Sequence, residues 1–468
     1  MVFSSAVFLF FFLPLTTAVY YLIPARMRNA ALFAASLLFY AWGEPLYVLI
    51  MLFSTFFDYF NGLALEKWDG RPGRRKAVLI VSVAVNIGML CFFKYTDFVI
   101  GSFNSVFGSS VALLKVALPV GISFYTFQTL SYTIDVYRRK VKAQHNIIDF
   151  GMYISMYPQL IAGPIVRYAD VESQIRGRKY DPRKAAQGLF RFTAGLCKKV
   201  LIANQLGAVW DDISSRAGTL PAATAWLGAL AFAFQIYFDF SGYSDMAIGL
   251  GALLGFKLPE NFDHPYESNS VTEFWRRWHI TLGVWFREYV YIPLGGNRKG
   301  VARQLLNMLV VWALTGLWHG AGVNFILWGL YFFVFLALEK LFLLKFFKKI
   351  PRVFGHIYTL AVVLFSWVIF ACEDTGTLWS YIRDFFGANG FCGGSSGYYL
   401  MTCGVMFAVA AVFSTHYPKK AGDMLIGRLR SKPVLLFSVR TAVALVFLAL
   451  CIVFIVGDAY NPFLYFRF

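Results

Sequence analysis

Apolar runs close to the length of a bilayer crossing recur from Phe3 to Val456, and they restrict the chain to very few folds. A hydrocarbon layer offers no water to backbone N–H and C=O groups, so only helices and closed barrels cross it. A crossing helix needs about 20 mostly apolar residues, a barrel strand only about 10 in alternation. Runs such as "ALVFLALCIVFIVG" are continuous rather than alternating, which selects helices. The expected fold is therefore an all-α, polytopic transmembrane protein with roughly a dozen membrane helices, interfacial helices and a re-entrant segment. Only 15% of the residues are charged, against roughly a quarter in ordinary globular domains, so a soluble core is not a competing solution.

The opening "MVFSSAVFLFFFLPLTTAVYYLIP" lacks the basic start and small-residue cleavage site of a signal peptide, so a retained first helix is expected over 3–21. Further spans are expected over 30–41, 47–65, 77–93, 113–132, 222–237, 244–256, 305–318, 324–342, 358–370, 399–414 and 435–456. The apolar piece 152–165 is short and holds Pro158, Gln159, Gly163 and Pro164, the pattern of an interrupted helix buried within protein. No fixed-period repeat and no Pro-, Gly- or Ser-rich linker divides the sequence, so 1–468 reads as one polytopic domain.

A net charge of +18 would suit nucleic acid, but Lys and Arg gather in short loops between spans, as the positive-inside rule requires. The membrane, with its anionic headgroups, is the expected partner, and no nucleic acid. "EKWDGRPGRRK", "KFFKKIPR" and "KKAGDMLIGRLRSK" read as cytoplasmic, whereas the acidic loop 372–396 reads as external. Alternation of the last three spans then delivers the tail 458–468 to the extracytoplasmic side. "RGRKYDPRK" and "LCKKV" read as amphipathic helices on the cytoplasmic face. The six cysteines are scattered without a CxxC pair, which implies neither a zinc site nor a disulfide framework.

Polar groups within apolar stretches are costly and mark function. "FQIYFDFSGYSDMAIG" carries Asp239 and Asp245, which suit helix cross-linking better than chemistry. In "VTEFWRRWHITLGVWFREYVYIPLGGNRKG", Trp275, Trp278, His279 and Leu282 fall on one face of a continuous helix. Arg276 and Arg277 point elsewhere, toward headgroups or an anionic ligand, and Asn297 and Arg298 lie in a following turn with a basic rim. In "ALTGLWHGAGVNFILWG", His319 stands between Trp318 and Gly320, and a glycine there permits close approach of a ligand or another backbone. An imidazole with an ordinary pKa of about 6.5 can take a proton from an alcohol without a metal or bound cofactor. On the residues alone, His319 suits either that role or a hydrogen-bonded helix contact, and His279 suits a structural place.

Together with "YPQLIAGPIVRY", these stretches resemble the membrane-bound O-acyltransferase family, in its bacterial alginate O-acetyltransferase-like branch, over nearly the whole chain. The resemblance implies a catalytic histidine at His319 and a second family position, usually His or Asn, at His279. It implies transfer of an acetyl group from a cytoplasmic thioester, acetyl-CoA or an acetyl-carrier, with no bound cofactor. The acceptor would be an exported or cell-envelope polysaccharide, served by an extracytoplasmic acetyltransferase partner, at a bacterial cytoplasmic membrane. Trp318, Asn324 or a backbone N–H near Gly320 could supply an oxyanion donor, and Arg276, Arg277, Asn297 and Arg298 a donor-side surface. "YIPLGGNRKG" looks like the acetylating branch rather than the teichoic-acid D-alanylating one. A D-alanyl transferase, a transporter or flippase of donor or glycan, and a membrane scaffold are the competing readings.

The chain closes on "NPFLYFRF". By composition this is an interfacial aromatic belt. By resemblance it is a C-terminal aromatic hexapeptide whose tyrosine, here Tyr465, carries the acyl group. A phenol of pKa about 10 leaves more readily than a sugar alcohol, so an acyl-tyrosine keeps much of the thioester's transfer potential.

Overall fold

A computed structural model describes residues 1–161, 163–429, 431–457 and 463–464. Tyr465 lies outside them. Every regular element among the described residues is helical, and eight helices are long and apolar enough to cross a membrane. They are Val48–Lys67, Pro72–Phe107, Ala222–Leu253, Gly300–His319, Val323–Phe347, Arg352–Ala371, Gly394–Phe413 and Pro433–Gly457, with a shorter apolar helix at Phe8–Leu22. Several other expected spans, among them Arg28–Ala41 and Ile122–Tyr137, are helices of fewer than 18 residues. The chain groups into two compact units, one formed by 1–192 and 244–260, the other by 193–243 and 261–468.

In the first unit, the Ile122–Tyr137 helix is buried along almost its whole length between neighbours that include Val48–Lys67 and Pro72–Phe107. The buried Asp58 carboxylate of the Val48–Lys67 helix accepts from Ser82 Oγ and Asn86 Nδ2, both at 2.7 Å, so the buried polar groups satisfy one another. The expected interrupted helix is here: Ile147–Ser155 stops at Met156 and a single turn, Tyr157–Leu160, follows. Pro158 sits just inside that turn, and the freed backbone finds partners, Tyr157 N donating to Ser36 Oγ at 3.1 Å. Residues 113–120, expected to open a span, are not helical; that helix begins after Gly121, at φ +78°.

The expected spans 222–237 and 244–256 are one helix, Ala222–Leu253. Gly242 does not break it. A Cβ at that position would come within 2.7 Å of Gly195 O, so the glycine serves close packing rather than a turn.

In the second unit, Gly300–His319 and Val323–Leu338 form a tight antiparallel pair joined by residues 320–322. Gly316 and Gly329 let the two backbones touch: a Cβ on either would collide with a carbonyl of the other helix, Phe325 O or Trp312 O. That pairing fixes the height at which His319, the last helical residue, is presented.

Candidate active site

The segment "TEFWRRWHITLG" is anchored first by its N-terminus. Ser270 Oγ accepts from Glu273 N at 3.0 Å, capping the Val271–Arg277 helix. The wholly buried Glu339 carboxylate accepts from Val271 N, Thr272 N and Thr272 Oγ1 at 2.6–2.8 Å. A carboxylate at a helix start satisfies donors that have no partner within the helix.

The continuous helix expected through His279 is not formed. The helix ends at Arg277, Trp278 is extended, and His279 takes the left-handed region at φ +43° before a second helix, Ile280–Phe286, begins. Asn261 stabilises the break. Its Oδ1 accepts from Thr281 Oγ1 at 2.9 Å and lies 3.1 Å from His279 Nδ1, and its carbonyl accepts from Ile280 N at 3.0 Å. Because Oδ1 only accepts, the imidazole hydrogen is on Nδ1 and Nε2 is the bare nitrogen. Nε2 is buried and has no hydrogen-bond partner among the described residues. Burial pushes the His279 imidazole down to about 3, so it is neutral at physiological pH.

His319 is 6% exposed, with its ring 5.0 Å from Trp328 and 5.2 Å from Phe370. The space beside Gly320 is filled by the Phe325 ring, not left for a ligand. His319 lines a small cavity of about 20 Å³, walled by Trp278, Trp328, Trp367, Phe370 and Phe240 together with Asp239, Ile236, Phe463 and Leu464. That is room for about one water molecule. Trp367 Nε1 is committed to Tyr266 Oη at 3.2 Å, whereas Trp328 Nε1 has no partner among the described residues.

The expected site residues divide accordingly. His319 lines the cavity. His279 stands one ring behind the wall, 4.7 Å from Phe240 and 5.9 Å from Trp318. Asn324 uses its amide Nδ2 on Phe370 O at 3.0 Å, and so supports the wall. Arg276, Asn297 and Arg298 are exposed, and Arg277 pairs with Glu273 at 2.7 Å; all four lie outside the lining. Trp328 and Lys199 were not singled out by the sequence. Lys199, in the "LCKKV" stretch expected on the cytoplasmic face, is instead buried with its Nζ 2.6 Å from Asp239 Oδ1. Asp239 and Asp245 both cross-link helices as expected, the latter to Arg191 at 2.8 Å.

Residues 125–375 match the model of MBOAT, the membrane-bound O-acyltransferase family. The chain is 43% identical to the probable alginate O-acetylase AlgI of Pseudomonas aeruginosa over 390 residues, 82% of this chain and 75% of that protein. The chain belongs to the membrane-bound O-acyltransferase family. Among other relatives, the peptidoglycan O-acetyltransferase of Helicobacter pylori is 34% identical over 426 residues, 83% of this chain and 80% of its own length. The teichoic acid D-alanyltransferase of Bacillus subtilis is 27% identical over 241 residues, 48% of this chain and 59% of its own length. This membrane-bound O-acyltransferase is a multi-pass membrane protein and an enzyme that transfers acyl groups.

Proposed function

We propose that the chain moves an acetyl group from a cytoplasmic thioester, acetyl-CoA or an acetyl-carrier, across a bacterial cytoplasmic membrane for O-acetylation of an exported or cell-envelope polysaccharide. The observation that carries this reading is His319 buried beside a small, largely aromatic cavity that Phe463 and Leu464 of the chain's own C-terminal segment also line. The acetylating branch is favoured over the D-alanylating one because identity to the alginate and peptidoglycan enzymes is higher and covers far more of the chain.

His319 is the general base. It takes the proton of the attacking hydroxyl as that oxygen bonds to the thioester carbonyl carbon. Collapse of the tetrahedral intermediate breaks the C–S bond, and the proton passes from His319 to the leaving thiolate. Trp328 Nε1, buried and with no other partner among the described residues, is the donor we assign to the oxyanion, where a buried site makes such a bond most effective. The first acceptor is the Tyr465 phenol, and the acetyl-tyrosine then passes its acyl group to a hydroxyl of an extracytoplasmic partner or of the glycan, regenerating the phenol. His279 positions the cavity wall through Phe240 rather than meeting the reacting atoms. The exposed Arg276, Arg298 and their neighbours suit an anionic donor at the membrane surface.

The reading is tested by O-acetyl content of the exported polysaccharide in cells carrying wild type or His319→Ala at equal membrane abundance. Loss of acetylation in the variant supports it; unchanged acetylation refutes it.

A further inference from the structure

Lys199 and Asp239 form an ion pair in which both side chains are almost fully buried, 6% and 2% exposed. Desolvating two charges is costly, and such a pair is weak support for a fold unless further hydrogen bonds fill its remaining sites. Here one such bond comes from the end of the chain. Leu464 donates its backbone N–H to Asp239 Oδ2 at 2.7 Å, and Phe463 packs its ring 5.0 Å from Tyr243 and 5.9 Å from Phe240. Asp239, Phe240 and Tyr243 present one stripe of the Ala222–Leu253 helix, and Phe463 and Leu464 line the His319 cavity.

The last helix is fixed to the same place. Pro433–Gly457 packs against the Lys198–Ala203 segment, where Cys451 Sγ lies 3.6 Å from Cys197 Sγ, two residues before Lys199. The cation and the last helix therefore share one support.

We propose that the Lys199–Asp239 pair is a latch for the chain's own C-terminus: Lys199 holds the carboxylate, and the carboxylate holds the Leu464 amide so that the tail enters the His319 cavity in one register. Asp239 is thus a positioning residue. It grips a backbone N–H rather than a side chain, so it sets where the chain stands, not which residue follows. The chain continues from Leu464 directly into Tyr465. A charge-assisted hydrogen bond is short and strong, yet a single one can be released and remade during turnover. The inference deepens the acetyl-relay reading and rests on it only for what the held tail does.

The test uses two variants of the full-length protein in lipid nanodiscs, both of which remove both charges. Lys199→Met/Asp239→Asn retains an oxygen acceptor for the Leu464 N–H, whereas Lys199→Met/Asp239→Leu does not. Carboxypeptidase release of the C-terminal residues, followed by mass spectrometry, reads the population of undocked tail. Release is expected to be slowest in wild type, intermediate in the Asn variant, and at least about tenfold faster than wild type in the Leu variant. Equal release from the two variants would overturn the latch and make the pair a structural cross-link. Should neither variant fold, hydrogen exchange on wild type decides: a slowly exchanging Leu464 amide is expected, and exchange at the rate of an unstructured peptide refutes the latch. Graded release without acetyl on Tyr465 would keep the latch and discard the relay. Acetyl-Tyr465 with ungraded release would do the reverse.

Discussion

The ring centres of His279 and Trp318 lie 5.9 Å apart, so histidines drawn from two separate motifs meet across one indole, the same ring that packs 5.0 Å from His319. Only His319 reaches the cavity. The pair is therefore asymmetric: one imidazole lines the cavity and the other stands behind its wall.

Replacing His319 by Ala is expected to lower acetyl transfer by about 10²–10⁴-fold, the usual contribution of a positioned general base. Transfer measured with a radiolabelled acetyl thioester, at matched amounts of protein eluting as wild type does, checks this.

Trp328→Phe keeps the aromatic wall and removes a single N–H. If that N–H meets the oxyanion, kcat should fall by roughly 10²-fold with KM little changed. Thermal unfolding should move only slightly, because no protein hydrogen bond to Trp328 Nε1 is lost among the described residues.

Asn261→Ala removes the oxygen that holds both His279 Nδ1 and Thr281 Oγ1. Stability should drop by about 1–3 kcal/mol, the cost of stranding buried donors, read as a lower unfolding midpoint. His279→Asn should do far less damage. Asparagine tolerates the left-handed backbone at φ +43° and can offer an amide hydrogen toward Asn261, so most transfer activity should survive.

The same imidazole gives a pH dependence. Its folded pKa, about 3, is below the unfolded value of about 6.5, so the unfolded chain binds the proton first as pH falls. Stability is expected to decline below about pH 6.5 toward pH 3, by up to about 1.4 kcal/mol per pH unit from this group. Unfolding midpoints between pH 7.5 and 5 should show the decline in wild type and a shallower one in His279→Asn.

Gly316→Ala would push a methyl group against Phe325 O, a backbone atom that cannot swing aside. We expect about 1–3 kcal/mol of destabilisation from the overpacking. Transfer should also weaken, since His319 ends the displaced helix. Gly88→Ala, at a helix position with open space around it, is the control and should be neutral or mildly stabilising.

The membrane-helix character and the place of His319 were legible in the sequence because both depend on local signals, long apolar runs and a polar residue at the end of one. The break at His279 was not, since "WRRWHITLG" has unbroken helical spacing and the residue that stabilises the kink, Asn261, is 18 positions upstream. Lys199 misled for a related reason: a basic doublet beside an apolar run reads as surface, and only its distant partner Asp239 draws it inside. The single helix Ala222–Leu253 was read as two spans because polar residues such as Asp239 and Asp245 interrupt its apolar run, and their partners Lys199 and Arg191 lie far off in the sequence. Trp328 gave no signal, because an indole N–H with no partner among the described residues is visible only once its neighbours are known.

Mass spectrometry of the C-terminal peptide bearing Tyr465, from wild type and from His319→Ala incubated with an acetyl thioester, tests the central claim most directly. Acetyl on Tyr465 in wild type and its absence from the variant is the predicted result. An unmodified tyrosine in both, with glycan acetylation intact in wild type and in Tyr465→Phe, would contradict it and reduce the tail to a plug of the His319 cavity.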